Sequence, residues 1–122
     1  MILADTSIWI DHFRANDPEL ARQLGLGQIA VHPFIIAELA LGSLPRREET
    51  LRSFDLLPSV RVARIEEVRQ MIESRKLFSL GIGLADAHLI AAVLITPSAL
   101  LWTRDKRLRS VAESLGIHVD LP

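Results

Sequence analysis

The sequence predicts an α/β fold, a three-layer sandwich in which helices flank a short, mostly parallel central sheet. Two observations carry that expectation. Short apolar runs of strand length alternate with longer segments of helical period, the pattern of a parallel sheet covered on both faces. A chain of 122 residues with 49% hydrophobic and 24% charged side chains also suits one globular domain that can bury a core. Residues 1–122 read as that single domain, with no repeat, linker or boundary.

The elements follow in order. Met1 to Ala4 is an apolar run ending at Asp5 and reads as a first strand. Thr6 to Arg14 reads as helix. Asp17 and Pro18 start another, with Asp as cap and Pro in the first turn, and Gly25 stops it. Gln28 to His32 is a second strand. Pro33 opens a helix that closes near Gly42, and a charged helix runs from Arg46 to Leu57. Val60 to Ala63 is expected as a third strand and Glu66 to Phe78 as an amphipathic helix. After a loop at Gly81 and Gly83, Leu84 to Ile95 is apolar nearly all round, as in a buried helix. Ala99 to Trp102 is a fourth strand. Asp105 caps a helix whose Leu108, Val111, Ala112 and Leu115 share one face, and Gly116 ends it. Ile117 to Leu121 is expected as a last edge strand.

Composition removes several kinds of chemistry. There is no Cys, which excludes disulfide scaffolds, thiolate metal sites and cysteine nucleophiles. The N-terminus has no basic region and meets an acid at Asp5, unlike a signal peptide. No stretch offers the ~20 uninterrupted apolar residues of a membrane span, so a cytoplasmic protein is expected. With 14 Lys and Arg against 15 Asp and Glu, bulk positive charge does not drive nucleic-acid binding.

The informative feature is where charge is missing. Between Gly25 and Pro45 the sole charged residue is Glu38; between Leu77 and Thr103 it is Asp86. An ionised acid in an apolar setting is costly unless paired or bound to a metal. Asp5 and Asp105 stand at the ends of predicted strands, where a parallel sheet places its sites. A plainer reading exists for each acid. Asp5 and Asp105 serve as helix caps, Asp86 answers the dipole of its own first turn, and Glu38 pairs with a buried Arg. If the four converge instead, any two about 4 Å apart repel by roughly 4 kcal/mol at an effective dielectric of about 20. Such a group takes protons or cations, and oxygen ligands without Cys favour Mg²⁺ or Mn²⁺. Ser7 and Thr103 supply hydroxyls beside these acids, with helix capping as the alternative for the neighbouring Thr6.

At these residues the sequence resembles the PIN-domain nucleases, and within them the VapC toxins of toxin–antitoxin pairs. The matching segments are Leu3 to Ile10, Ile36 to Leu39, Gly81 to Ala91 and Leu101 to Leu108, in family order over essentially the whole chain. The resemblance implies a Mg²⁺- or Mn²⁺-dependent endoribonuclease. It assigns Asp5, Glu38, Asp86 and Asp105 to the metal pocket as catalytic residues and Thr103 as a supporting hydroxyl. It also implies a VapB-like antitoxin, a homodimer, and RNA products ending in 5′-phosphate and 3′-hydroxyl groups. A different class stays open, a catalytically silent protein-binding module of the same fold.

The segment Arg104 to Arg109 holds four basic residues and one acid. Arg104, Lys106 and Arg107 are candidates for guiding an RNA backbone toward Asp105, against the plainer reading of a solvated helix end. The chain has no Tyr and few aromatics, so a base-stacking platform is poorly supplied. Trp9 and Trp102 are expected to pack in or near the core. No two His have zinc spacing, and His12, His32 and His118 are expected to be surface or packing residues. The Gly81-Ile82-Gly83 loop looks like a dinucleotide fingerprint, but Asp86 stands where the third Gly belongs.

Overall fold

A computed structural model describes residues 1–122. Three strands form one parallel sheet in the order β2-β1-β3: β1 (Ile2–Ala4), β2 (Ile29–Ala30) and β3 (Leu100–Trp102). Ile2 pairs with Ile29 on one side and Leu100 on the other, and Ala4 pairs with Trp102. All three residues of β1 are buried although alternate side chains point to opposite faces, so both faces of the central strand are covered.

The helices are α1 (Thr6–Ala15), α2 (Pro18–Gly25), α3 (Pro33–Leu41), α4 (Arg47–Asp55), α5 (Ile65–Ser74), α6 (Leu84–Ile95) and α7 (Lys106–Ser114). Most of their starts carry a side-chain cap, α4 and α6 being the two without one. Asp17 accepts from the Leu20 amide at 3.0 Å with Pro18 in the first turn of α2. The His32 ring does the same for α3, its Nδ1 accepting from the Phe34 amide at 3.0 Å. Glu67 accepts from the Arg64 amide at 2.9 Å at the start of α5. In α6 every residue from Ala87 to Val93 is buried, as its apolar sequence predicts. This helix packs on β3 and against α5, while α1 packs on β1, α2 and α3. Trp9 and Trp102 are both core residues. No helix is long and apolar enough to cross a membrane.

Three expected elements are corrected. Val60 to Ala63 is not a strand. One bridge joins Val31 to Ser59, and the Arg61 amide then turns to the Thr96 hydroxyl at 2.9 Å, which takes the chain off the sheet edge. Ile117 to Leu121 likewise gives a single bridge, Leu101 to His118. It stops because the Thr103 amide donates to the His118 ring Nε2 at 3.1 Å instead of to a backbone carbonyl. Helix α5 ends at Ser74, short of Phe78. The Leu77 amide closes back on the Ile72 carbonyl at 2.9 Å, with Lys76 in the left-handed region.

Candidate active site

The carboxyl ends of β1 and β3 lie side by side, and the Asp5 amide donates to the Trp102 carbonyl at 3.0 Å. Asp5 and Thr103 therefore leave the sheet at the same edge, both buried. Asp5 Oδ1 accepts from the Ser7 amide at 3.0 Å and the Ser7 hydroxyl at 2.5 Å. Its Oδ2 accepts from the Thr103 hydroxyl at 2.5 Å. A carboxylate has about four lone-pair positions. Three are filled here, and one on Oδ2 remains. Burial pushes the Asp5 carboxyl up from its ordinary value, and the hydrogen bonds from Ser7 and Thr103 oppose the rise.

Thr103 joins two of the acids. While its hydroxyl donates to Asp5, the same oxygen accepts from the Asp105 amide at 3.1 Å. Asp105 Oδ1 caps α7 by accepting from the Leu108 amide at 3.0 Å, and the residue is exposed. Asp86 sits in the first turn of α6, half-buried. Its carboxyl is raised, first by burial and then by repulsion from Asp105, Asp5 and Glu38, while a Gly83 backbone hydrogen bond lowers it. Asp86 thus feels the other three acids at once. The acids face one another without closing up: no three Asp, Glu or His side chains form a set already gathered around an ion position. Asp5 is tied to Ser7 and Thr103, and Asp105 to the Leu108 amide and, through its own amide, to Thr103.

Glu38 differs from the sequence expectation. It is exposed on α3 and forms no ion pair, so the apolar residues around it in the sequence do not enclose it. Leu41, one turn on, is 88% exposed. Glu38 also lines a groove of about 560 Å³ with Ile10, Phe13, Leu39 and Leu44.

The basic candidates separate. Lys106 and Arg107 are exposed and form no ion pair. Arg107 lies over Gly81, where a Cβ would come within 3.0 Å of the guanidinium and where φ is +78°, so Gly81 serves both the turn and the close approach. Arg104 departs from the expectation of a group offered to a phosphate, because its guanidinium is engaged by Asp11 and Asp17. Of the histidines, His32 is fully buried and its imidazole is pushed down to about 4 by burial and by His88. His118 is a supporting residue that sequence reasoning passed over. Its Nδ1 lies 2.6 Å from the Val119 carbonyl, leaving Nε2 to accept from the Thr103 amide. No spacing rule finds it, because the contact depends on the last segment returning beside β3.

A profile of the PIN domain family matches residues 2–114, and the chain belongs to that family. Among curated relatives, it is 41% identical over 117 residues to Ribonuclease VapC32 of Mycobacterium tuberculosis, in both strain CDC 1551 and strain H37Rv. The match covers 96% of this chain and 94% of each relative.

Proposed function

We propose that this protein is a Mg²⁺- or Mn²⁺-dependent endoribonuclease of the cytoplasm, the toxin of a VapBC-type pair. The observation that carries it is geometric: Asp5 is buried at the sheet edge, Thr103 bridges it to Asp105, and none of Asp5, Glu38, Asp86 and Asp105 forms an ion pair, while burial and the other three acids raise the Asp86 carboxyl. A group of oxygen donors with uncompensated negative charge suits a hard divalent cation. Asp5, Glu38, Asp86 and Asp105 would hold it. The cation supplies positive charge that orients water and offsets charge developing on the phosphodiester.

The chain's own residues do the rest. Ser7 and Thr103 fix the plane of the Asp5 carboxylate and leave the open position on Oδ2. Thr103 keeps Asp105 in step with Asp5 through the Asp105 amide. Burial and the neighbouring acids disfavour the ionised form of Asp86, and a cation held there would favour it. Lys106 and Arg107, exposed on the first turn of α7, draw in the RNA backbone. The relatives' name supports the ribonuclease reading and its VapC-type assignment. A VapB-like antitoxin and a homodimer belong to the same proposal. The groove beside Glu38 gives an apolar partner segment a place to lie next to the acids.

The test is cleavage of cellular RNA by purified protein, with chelator, with Mn²⁺ restored, and with Asp5→Asn in parallel. The expected result is cleavage that chelator abolishes, Mn²⁺ restores and Asp5→Asn lacks, with 5′-phosphate ends. Cyclic 2′,3′-phosphate ends that depend on these acids would overturn the metal-assisted route. Metal-indifferent stability with no cleavage of any RNA would favour the silent binding module.

A further inference from the structure

Arg104 stands between Thr103 and Asp105 and is engaged on several sides. Its Nη1 donates to Asp11 Oδ2 of α1 at 2.8 Å and to Asp17 Oδ2 at 2.5 Å. Asp17 is the residue whose other oxygen caps α2. The Arg104 Nε donates to the Pro122 main-chain oxygen at 3.0 Å, and Trp102 Nε1 donates to that same oxygen at 3.2 Å. The guanidinium carbon lies 5.4 Å from the Trp102 ring centroid. These contacts fasten one short turn to α1, to the start of α2 and to the C-terminal segment.

The backbone of the same residue reaches the acid pocket. The Arg104 amide donates to the Ser7 hydroxyl at 3.0 Å, and that hydroxyl in turn donates to Asp5 Oδ1. The hydroxyl's direction is therefore set by two neighbours, one on each side. If the turn slid along α1, the Ser7 hydroxyl would lose its donor and the Thr103 hydroxyl would leave Asp5 Oδ2. Groups that orient a metal ligand typically change metal affinity by about 10- to 100-fold when removed. A planar guanidinium suits the role because its donors point in fixed, divergent directions, whereas a lysine ammonium is a single point on a flexible stem.

We propose that Arg104 is a positioning residue for the metal centre: its guanidinium locks the Thr103–Asp105 turn against α1 and α2, and so fixes the hydroxyls that aim the Asp5 carboxylate. The inference rests on the divalent-cation reading of the four acids. Arg104 itself touches neither cation nor RNA in this role.

The test is Mn²⁺ binding by calorimetry to the whole chain, for the parent, Arg104→Gln, Arg104→Lys and Asp17→Asn. Circular dichroism fixes a temperature at which each is folded. Asp17→Asn keeps a competent helix cap while removing the charge partner. The expected result is a loss of Mn²⁺ affinity of about tenfold for Arg104→Gln, with smaller losses for Arg104→Lys and Asp17→Asn. On an RNA oligonucleotide, kcat falls and KM stays near the parent's. A folded Arg104→Gln that binds Mn²⁺ like the parent overturns the inference. So does a raised KM with a salt slope shallower by about one, which would make Arg104 a phosphate contact. If Arg104→Gln does not fold, Arg104→Lys and Asp17→Asn carry the same comparison. A parent that binds no Mn²⁺ sinks the cation reading and this inference with it; a binding parent with unaltered variants sinks the inference alone.

Discussion

Asp11 and Asp17 share an arginine; Asp5, Glu38, Asp86 and Asp105 share none. The two groups are adjacent in the fold, since Arg104 and Asp105 are consecutive and Asp5 caps the helix that carries Asp11. Yet their electrostatics are opposite. The Asp17 carboxyl is held below its ordinary value, chiefly by its hydrogen bond from Arg104. The Asp5 and Asp86 carboxyls are held above theirs by burial, with mutual repulsion adding at Asp86. Asp11 and Asp17 have a fixed cation beside them; the four acids at the sheet edge have none, which opposes folding wherever Asp5 and Asp86 are ionised.

The sharpest way to break this contrast is to neutralise the uncompensated side. Asp86→Asn and Asp5→Asn are each expected to remove Mn²⁺ binding. Losing about 3 kcal/mol of charge stabilisation corresponds to RNA cleavage lowered about a hundredfold or more. The same substitutions are expected to raise the melting temperature of the metal-free protein at neutral pH, because a raised carboxyl opposes folding when ionised. Calorimetric melting with chelator present, beside a cleavage assay, checks both. A lower melting temperature in both variants would erase the distinction between the groups.

Neutralising the compensated side should do the reverse. Arg104→Gln leaves Asp11 and Asp17 without their partner and is expected to destabilise the fold by about 2 kcal/mol, between the values typical of exposed and buried pairs. Urea denaturation of metal-free protein measures it.

Acid separates the two groups by sign. Asp5 and Asp86 have raised folded-state values, so between the unfolded value and the folded one the native state holds more protons, and stability from these sites grows as pH falls. Asp17 has a lowered value. Its contribution is present above the unfolded value of 3.8 and is lost as pH falls through the folded one. Differences in stability between parent and Asp86→Asn are therefore expected to shrink on mild acidification, and those between parent and Asp17→Asn to shrink only in stronger acid. Taking differences cancels the contribution of His32, whose imidazole is pushed down to about 4 by burial and by His88. The smallest effect is expected at the free cations. Lys106→Gln and Arg107→Gln should each raise KM modestly and flatten the salt dependence by about one, with Mn²⁺ binding unchanged.

Much of this was legible in the sequence because the signals are local. Caps at Asp5, Asp17 and Asp105, Pro in the first turns of α2 and α3, and the unbroken apolar run of α6 all act within a few residues. The segments at Val60 and Ile117 have a strand pattern but make single bridges, because pairing depends on a partner that local pattern does not contain. Arg61 found Thr96 and Thr103 found His118 instead. At the site, the sequence posed a choice between cap and ligand that the fold does not impose. Asp5 caps α1 through Oδ1 and keeps a position on Oδ2; Asp105 caps α7 through Oδ1 alone. The apolar stretch around Glu38 does not bury it, because α3 turns Ala37, Glu38 and Leu41 outward. The partners of Arg104 were out of reach for the same reason as those of Thr103: they lie 87 and 93 residues away in the chain.

The capping by Asp5 and Asp105, together with Asp86 in the opening turn of α6, means that three helices begin at this one edge of the sheet. Each helix start carries a partial positive charge of roughly half an elementary unit. Those backbone dipoles soften the mutual repulsion of the carboxylates with a field that no side-chain substitution can delete. They also leave the edge less forbidding to an incoming polyanion than a count of its acids suggests.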